Sequence, residues 1–309
     1  MVLKTKTNLL AALTAALTVA LALTACSSDS DQQTSAREIR LFTEVAVSTR
    51  AADDADALQD TQLASGTKIT VKVKENASTT SVDYPLATYT ADGLGGLSLP
   101  EGVKQYYPAN GNGVNIYAFH PMGVGQSFAV QTDQTTDAAY KASDLMWASL
   151  SDVTAESTPA QRTLAFDHLL SKVVVTLVQE AGISADQLAA ATVTLGDGDL
   201  ITSGSFTAST GTFTPAASGT GTITLATNAG TSAHAAAVVP QTASGKKITI
   251  TIGAQSRSYT ITTASFLPGK RYAYRLSVGT VGLSLVSTQI TDWDDQSGAN
   301  AITPDPLEL

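Results

Sequence analysis

One cysteine lies in a context that specifies a covalent modification. Cys26 ends a Leu-Thr-Ala-Cys sequence, which follows two lysines and an apolar run over residues 9–23. A charged start, a short apolar stretch and small residues before a cysteine are typical of a signal peptide whose removal accompanies lipid attachment. We therefore predict a signal peptide over residues 1–25 and a lipid such as palmitate on Cys26, which would anchor the mature chain to a membrane.

The other side chains with catalytic or metal-binding chemistry are scattered. Cys26 is the only cysteine, so lipidation leaves no thiol for a disulfide, a nucleophile or a metal site. His120, His168 and His234 show no zinc-type spacing, and we interpret them as packing residues at strand ends. We predict no metal and no cofactor.

Two acidic clusters have the composition of a cation site. Gly196-Asp197-Gly198-Asp199 lacks the further ligands of a calcium loop, and we interpret it as a hairpin turn. The carboxylates around Trp293 are interpreted as a solvated turn; they are Asp292, Asp294 and Asp295.

Enzymatic motifs are missing from the sequence. It contains no Gly-x-Ser-x-Gly elbow, phosphate-binding loop or dinucleotide fingerprint. The two tryptophans, Trp147 and Trp293, are more typical of a packed core than of a sugar-binding surface. Paired carboxylates that meet only in the fold are the enzymatic alternative left open. We predict that the protein is not an enzyme.

Composition restricts the partners and the size of the fold. The chain has 309 residues, a net charge of −9 and a sequence pI near 4.7, which argues against a nucleic-acid partner. Residues 26–37 are polar and without apolar periodicity, so we predict a tether there. The remainder is long enough for two domains.

Short β-branched runs separated by turn residues predict an all-β fold of the sandwich type. The first run covers residues 38–50 and alternates, as in a strand with one buried face. Its apolar face carries Ile39, Leu41, Val45 and Val47, and its polar face carries Arg40, Glu44 and Ser48. We place a boundary near residue 180, before a short helix over 184–190. This divides the chain into domains at 38–180 and 181–309.

The last part of the chain contains another alternating run. Val281, Leu283 and Leu285 share one face, and Val286 and Ile290 continue in the opposite phase. The change of phase predicts a bulge or bend near Leu285. Residues 294–309 carry two prolines and few apolar side chains, a composition that suits an edge strand or an arm.

Four stretches of the sequence together resemble the fimbrillin family, the lipoprotein-derived type V pilins of Bacteroidales. They are Thr49-Arg50-Ala51, Asp-Leu-Met-Trp-Ala at 144–148, Phe-Asp-His-Leu-Leu-Ser-Lys-Val at 166–173, and residues 268–276 followed by Ile-Thr-Asp-Trp at 290–293. The resemblance implies two transthyretin-like β-sandwich domains in tandem after the lipoprotein signal peptide. It also implies an outer-membrane and pilus location, and a cut between Arg50 and Ala51 by an arginine-specific protease.

The resemblance further implies strand exchange between subunits, with the C-terminal region as donor. After the cut, the strand carrying Ile39 and Leu41 would be held only by non-covalent contacts, so it could leave and be replaced by a strand of the next subunit. Such a contact is head-to-tail and propagates into a filament. We place the candidate donor within residues 281–309, and its apolar residues are Val281, Leu283, Leu285 and Ile290.

The sequence therefore predicts a structural pilus subunit that polymerises by protease-triggered donor-strand exchange and supports adhesion. Its partners would be other pilin subunits, the protease and the outer membrane. The alternative keeps the family and changes the role to an accessory, tip or anchor subunit, or to a surface adhesin lipoprotein that does not polymerise.

Overall fold

The computed structural model describes residues 37–45, 63–76, 84–156, 161–227 and 231–293. These form an all-β chain. The strands of its first part are β1 (Arg40–Val45), β2 (Lys68–Glu75), β3 (Ala87–Ala91), β4 (Leu97–Ser98), β5 (Val114–His120), β6 (Ser127–Ala129), β7 (Met146–Val153) and β8 (Gln161–His168). A short helix, α1 (Asp137–Ala142), lies between β6 and β7.

A second series of strands follows. They are β9 (Ser171–Gln179), β10 (Thr192–Ile201), β11 (Ser203–Thr207), β12 (Thr212–Pro215), β13 (Thr220–Thr224), β14 (Ala226–Thr227), β15 (Ala233–Val238), β16 (Gln241–Thr242), β17 (Lys247–Ile252), β18 (Gln255–Thr260), β19 (Ser265–Phe266), β20 (Lys270–Val278) and β21 (Leu283–Asp292). The predicted helix is α2 (Ala185–Ala189). Its N-terminus is closed by a capping box between Ser184 and Gln187.

The first part forms a seven-stranded sheet in the order β1-β8-β7-β5-β2-β3-β4. One face is apolar, as the alternating strand pattern requires: Ile69, Val71 and Val73 of β2 are fully buried in the same hydrophobic cluster as Ile116 of β5. This sheet thus has its own core, which we call the first cluster.

The second part is built around β9. This strand runs parallel to β20 and antiparallel to β15, in the sheet β14-β15-β9-β20-β21. Its residues 171–175 are all buried, which is the pattern of a strand covered on both faces. A four-stranded sheet, β13-β10-β17-β18, contributes Val193, Ile248 and Ile250 to the same core. We call this core the second cluster.

The predicted boundary near residue 180 falls after β9, whose side chains pack in the second cluster. β8 ends in the first sheet at His168 and β9 starts in the next sheet at Ser171. The division of the chain into domains at 180 stays a prediction.

The last strand has the bulge that its sequence predicts. β21 pairs antiparallel with β20, but the register shifts: Arg275 lies opposite Ser287, and Leu276 lies opposite Leu285. Val286 is the additional residue. The change of phase between Leu285 and Val286 is therefore accommodated by a bulge, as the sequence predicted.

Within the described residues, the helices are too short and too polar to cross a membrane.

Burial of His234 leads to a test of stability against pH. Burial lowers the pKa of His234 to about 4 from its ordinary 6.5. Between these two pH values, His234 binds a proton in the unfolded chain but not in the folded chain. The free energy of unfolding therefore falls by roughly 3 kcal/mol as the pH drops from about 6.5 to 4. Urea unfolding of His234→Gln across this range should show a shallower dependence. His120→Gln, at a half-buried histidine, serves as the control and should retain the dependence of the wild type.

Candidate functional site

The structure locates some of the predicted site residues and not others. Cys26, Val47, Arg50 and Ala51 lie outside the described residues. Leu41 lies in β1 and Ile39 directly before it, and both are buried in the first cluster. Val45 is the last residue of that strand. The described residues therefore include the strand that precedes the predicted cut after Arg50.

β1 is bound to β8 along one edge. The two strands are parallel, and their register runs from Arg40 opposite Gln161 to Val45 opposite Phe166. β8 meets its other neighbour, β7, only at its last two residues, Asp167 and His168. Most of the ladder hydrogen bonds of β8 therefore go to β1.

The other edge of β1 is bound to two loop segments. The Thr43 amide donates to the Gly95 carbonyl at 2.7 Å, and the Ile39 amide donates to the Gln105 carbonyl at 2.8 Å. The Tyr107 amide donates to the Arg37 carbonyl at 2.8 Å. β1 thus lies between β8 and the loops around β4, and it links the two ends of the seven-stranded sheet.

The side chains of β1 alternate between the core and the surface. Ile39, Leu41 and Thr43 are buried, whereas Arg40 and Glu44 are exposed. Thr43 is the weak position in the buried row, because its hydroxyl is buried without a hydrogen-bond partner. A buried unpaired hydroxyl opposes the stabilisation that the neighbouring Leu41 provides.

A second feature forms at the junction between the two clusters. Asp144 Oδ1 and His168 Nδ1 are 2.7 Å apart, and both side chains are almost fully buried. The imidazole stacks on the indole of Trp293, with ring centroids 4.2 Å apart and parallel planes. Trp293 is 1% exposed, and its amide donates to the Gly269 carbonyl at 2.7 Å. These contacts fix the position at which the chain leaves β21.

Three of the four stretches that carry the fimbrillin resemblance meet at this junction. Asp144 opens one of them, His168 belongs to the second, and Gly269 and Trp293 come from the two parts of the last. Backbone bonds join them as well, since the Gly269 amide donates to Leu170 at 2.7 Å. Thr49-Arg50-Ala51 lies outside the described residues.

The predicted donor residues lie in or next to a strand that is already paired. Val281 is 99% exposed, ahead of β21, while Leu283 and Ile290 are half-buried and Leu285 is 39% exposed within it. β21 is hydrogen-bonded to β20 from end to end. Trp293, the residue directly after β21, holds the C-terminal end of the strand in place. Donation of these residues would require β21 to separate from β20, and the donor role stays a prediction.

The acidic Gly196–Asp199 segment has a structural role in the sheet. The Gly196–Asp199 prediction of a hairpin turn is wrong: these residues form an irregularity inside β10, where the register shifts between Leu195 and Leu200. Two glycines there adopt positive φ, which a bulge accommodates as readily as a turn. Asp197 and Asp199 pair with Lys247 and Lys246 at 3.0 and 3.1 Å.

The two tryptophans and Asp292 make structural contacts. Trp293 is a core residue, as the sequence predicted. Trp147 is half-buried under the β11–β12 turn, where its Nε1 donates to the Ala208 carbonyl at 2.7 Å. Asp292 pairs with Lys270. Across the part of the chain that the structure describes, histidine, cysteine and acidic side chains nowhere gather in threes as a metal site requires.

Sequence reasoning missed the segments that hold the outer edge of β1. Gly95, Gln105 and Tyr107 contact β1 through backbone groups, which leave no side-chain pattern to detect. It also missed the pairing of Asp144 with His168. The signal available was the presence of both residues in stretches singled out by the resemblance.

The buried Asp144–His168 pair generates a test. Asp144→Ala leaves the Nδ1 of His168 buried without its acceptor, so we expect a loss of about 1–3 kcal/mol in the free energy of unfolding. In a Trp147→Phe background, the fluorescence of Trp293 should also shift towards that of a solvated indole. Asp167→Ala, at the exposed neighbouring position, should change stability by less than about 0.5 kcal/mol. Equal losses in the two variants would contradict a specific role for the pair.

Comparison with known proteins assigns the chain to a family. The model of the fimbrillin-like family matches residues 49–293, and no curated protein matches the chain. A candidate cell adhesion protein from Bacteroides uniformis has a similar structure, with a TM-score of 0.65 and 20% identity over 83% of this chain and 98% of that one. Another, from Bacteroides ovatus, gives 0.61 and 19% over 83% and 96%. At such identities the structures show the fold alone. With the family match covering most of its length, the chain belongs to the fimbrillin-like family.

Proposed function

We propose that this protein is a structural pilus subunit, exported as a lipoprotein through Cys26, cut between Arg50 and Ala51, and polymerised by donor-strand exchange. Its partners would be an arginine-specific protease, the outer membrane and neighbouring copies of pilin subunits. Family membership supports a fimbrial or adhesive role at the cell surface.

The observation that carries the proposal is the position of β1 between β8 and the Gly95–Gln105 loops. A cut after residue 50 would leave this strand attached by hydrogen bonds and side-chain burial alone. Ile39 and Leu41 each contribute about 1.5–3 kcal/mol through burial, and the ladder bonds add to this. Loss of β1 would expose the edge of β8 and the apolar side chains of the first cluster that β1 covers.

The vacated site would have the form of a strand-binding groove. It would offer unpaired backbone groups on two sides and an apolar floor, over roughly 20 Å for the length of β1. A replacement strand from another subunit satisfies both requirements through β-augmentation. Since the groove and the donor are different surfaces, each subunit can bind one neighbour and be bound by another.

A donor beyond Trp293 is compatible with the anchored position of β21. We therefore place the donor arm within the later part of the predicted segment, at residues 294–309, which follow directly from the Trp293 anchor. Release of Leu283 and Leu285 from β20 is then unnecessary.

The cleavage mechanism is tested with an arginine-specific protease on the purified chain carrying Cys26→Ser, which prevents lipidation. We expect a new N-terminus at Ala51 and a ladder of oligomers on an unboiled denaturing gel. Arg50→Ala should remain uncut at this position and should form no ladder. A chain that is cut at Ala51 and stays monomeric would point to the alternative role, and a wild-type chain that resists cleavage there would refute the mechanism.

A reversible lock tests whether β1 has to leave. Glu44 and Ala165 are register partners on β1 and β8, and both are exposed. Neighbouring strands bring Cα atoms into the range that a disulfide spans. The oxidised Glu44→Cys, Ala165→Cys double variant should still be cut after Arg50 but form no ladder, and reduction should restore the ladder. The single-cysteine variants serve as controls. Assembly of the locked protein would show that exchange does not use the β1 groove.

The alternative is an accessory, tip or anchor subunit, or an adhesin that does not polymerise. It is favoured by the firm attachment of β21 to β20 and by the two prolines, Pro304 and Pro306, in the remaining donor segment. Such a subunit would accept a strand or be processed without donating one.

A further inference from the structure

The hairpin formed by β7 and β8 is paired only at the end away from its connecting loop. Residues 145–147 lie opposite residues 167–169 and are hydrogen-bonded to them. Across the hairpin, residues 148–153 and 161–166 have no ladder partner within the described part of the chain, although β7 pairs with β5 and β8 with β1 on their other edges. The facing edges of the two strands therefore carry unpaired N–H and C=O groups. We call this gap the β7–β8 seam.

We propose that β8 closes the β7–β8 seam when β1 leaves, by turning about its paired C-terminal end and forming a ladder with β7. This inference rests on the proposed release of β1 and describes the acceptor site before a donor strand arrives. Without closure, residues 161–166 would lose their ladder partner in β1 and have none on the other edge. Such a segment is not stable as a strand, whereas the closed hairpin would present the vacated edge of β8 to the donor in extended form.

The register of the paired end continues through the seam without a slip. Carried forward, it sets residues 148–151 of β7 opposite residues 163–166 of β8. The four pairs are Ala148 with Phe166, Ser149 with Ala165, Leu150 with Leu164, and Ser151 with Thr163. The first and third pairs consist of residues that belong to the first cluster or pack against it, and the other two consist of half-buried or exposed residues. Both strands thus turn the same face to the core at every pair, as a stable register requires.

Leu150 gives closure an apolar driving force. Leu150 packs against the first cluster but stays partly exposed, whereas Leu164 is fully buried. Closure would place the two side chains beside each other and remove the remaining apolar surface of Leu150 from water. Residues 148–151 and 163–166 carry no charged side chain, so no like-charge pair across the hairpin opposes the closed state.

Two sets of contacts define what holds the seam open and where β8 would turn. β1 is bonded to β8 along one edge and to the loops around β4 along the other, so it ties the unpaired half of β8 to the opposite end of the sheet. At the paired end, Asp144 Oδ1 lies 2.7 Å from His168 Nδ1, and the imidazole stacks on Trp293. Release of β1 would therefore free residues 161–166, while the end of β8 keeps its contacts.

Disulfide trapping tests the closed state. In the chain carrying Cys26→Ser, the cysteines of a Ser149→Cys, Ala165→Cys variant lie directly opposite each other only after closure. We expect their disulfide to form at least about tenfold faster in the monomer that is cut after Arg50 and freed of its N-terminal segment than in the uncut chain. Ser149→Cys with Thr163→Cys is the matched control. These positions are diagonal in the closed register, with Cα atoms about 7–8 Å apart, so their disulfide should form slowly in both forms.

Hydrogen exchange gives a second readout, and it needs no introduced cysteine. Amides of residues 148–151 should exchange at least about tenfold more slowly in the cut monomer than in the uncut chain, because those that face β8 gain ladder partners. Residues 248–250 of β17, in the second cluster, are the internal reference and should exchange at the same rate in both forms. Either an unaccelerated disulfide or unchanged exchange of residues 148–151 would overturn the proposal.

A Leu41→Asp variant separates this inference from the proteolytic mechanism. In the uncut chain it places a carboxylate at a buried position of β1, so β1 should detach without protease and the Ser149→Cys, Ala165→Cys disulfide should again form faster. Leu41→Ala takes its place if the aspartate variant loses the circular dichroism spectrum of the wild type. A chain that resists cleavage yet closes when β1 is weakened would refute the proteolytic mechanism alone. A chain that is cut and forms the ladder without closing would refute closure alone.

Discussion

The hydrogen bonding of β1 closes the first sheet. On one side β1 supplies most of the ladder partners of β8, and on the other it accepts and donates bonds with the loops around Gly95 and Gln105. Both neighbours depend on a strand whose connection to the rest of the chain passes through residues 46–62. The first cluster beneath Ile39 and Leu41 is therefore complete only while this strand is in place.

The junction of Asp144, His168 and Trp293 connects distant parts of the chain. Asp144 precedes β7 and His168 ends β8, both in the first sheet, whereas Trp293 follows the last strand of the second part. A buried carboxylate and imidazole satisfy each other, and the flat indole covers the imidazole. Three of the four short stretches that carry the family resemblance, although far apart in the sequence, thus meet in one contact.

Local patterns were sufficient for much of the fold. Alternation placed the buried face of β1, a change of phase placed the β21 bulge, and a serine cap placed α2. Each depends on neighbouring residues and strand or helix periodicity. The Gly196–Asp199 turn was misplaced because glycine and aspartate serve bulges and hairpins equally well, and only the pairing of β10 with β13 and β17 distinguishes them.

By itself the sequence determined the all-β class, the amphipathic first strand and the resemblance of four short stretches to the fimbrillin family. All of these depend only on residue type and spacing. Only the tertiary structure decided that β1 lies parallel to β8 between two edges, that β9 packs in the second cluster, and that Asp144 meets His168 and Trp293. These depend on which strands become neighbours. Backbone groups make the same hydrogen bonds with any partner, so the pairing is selected by the packing of the whole chain and not by a local signal.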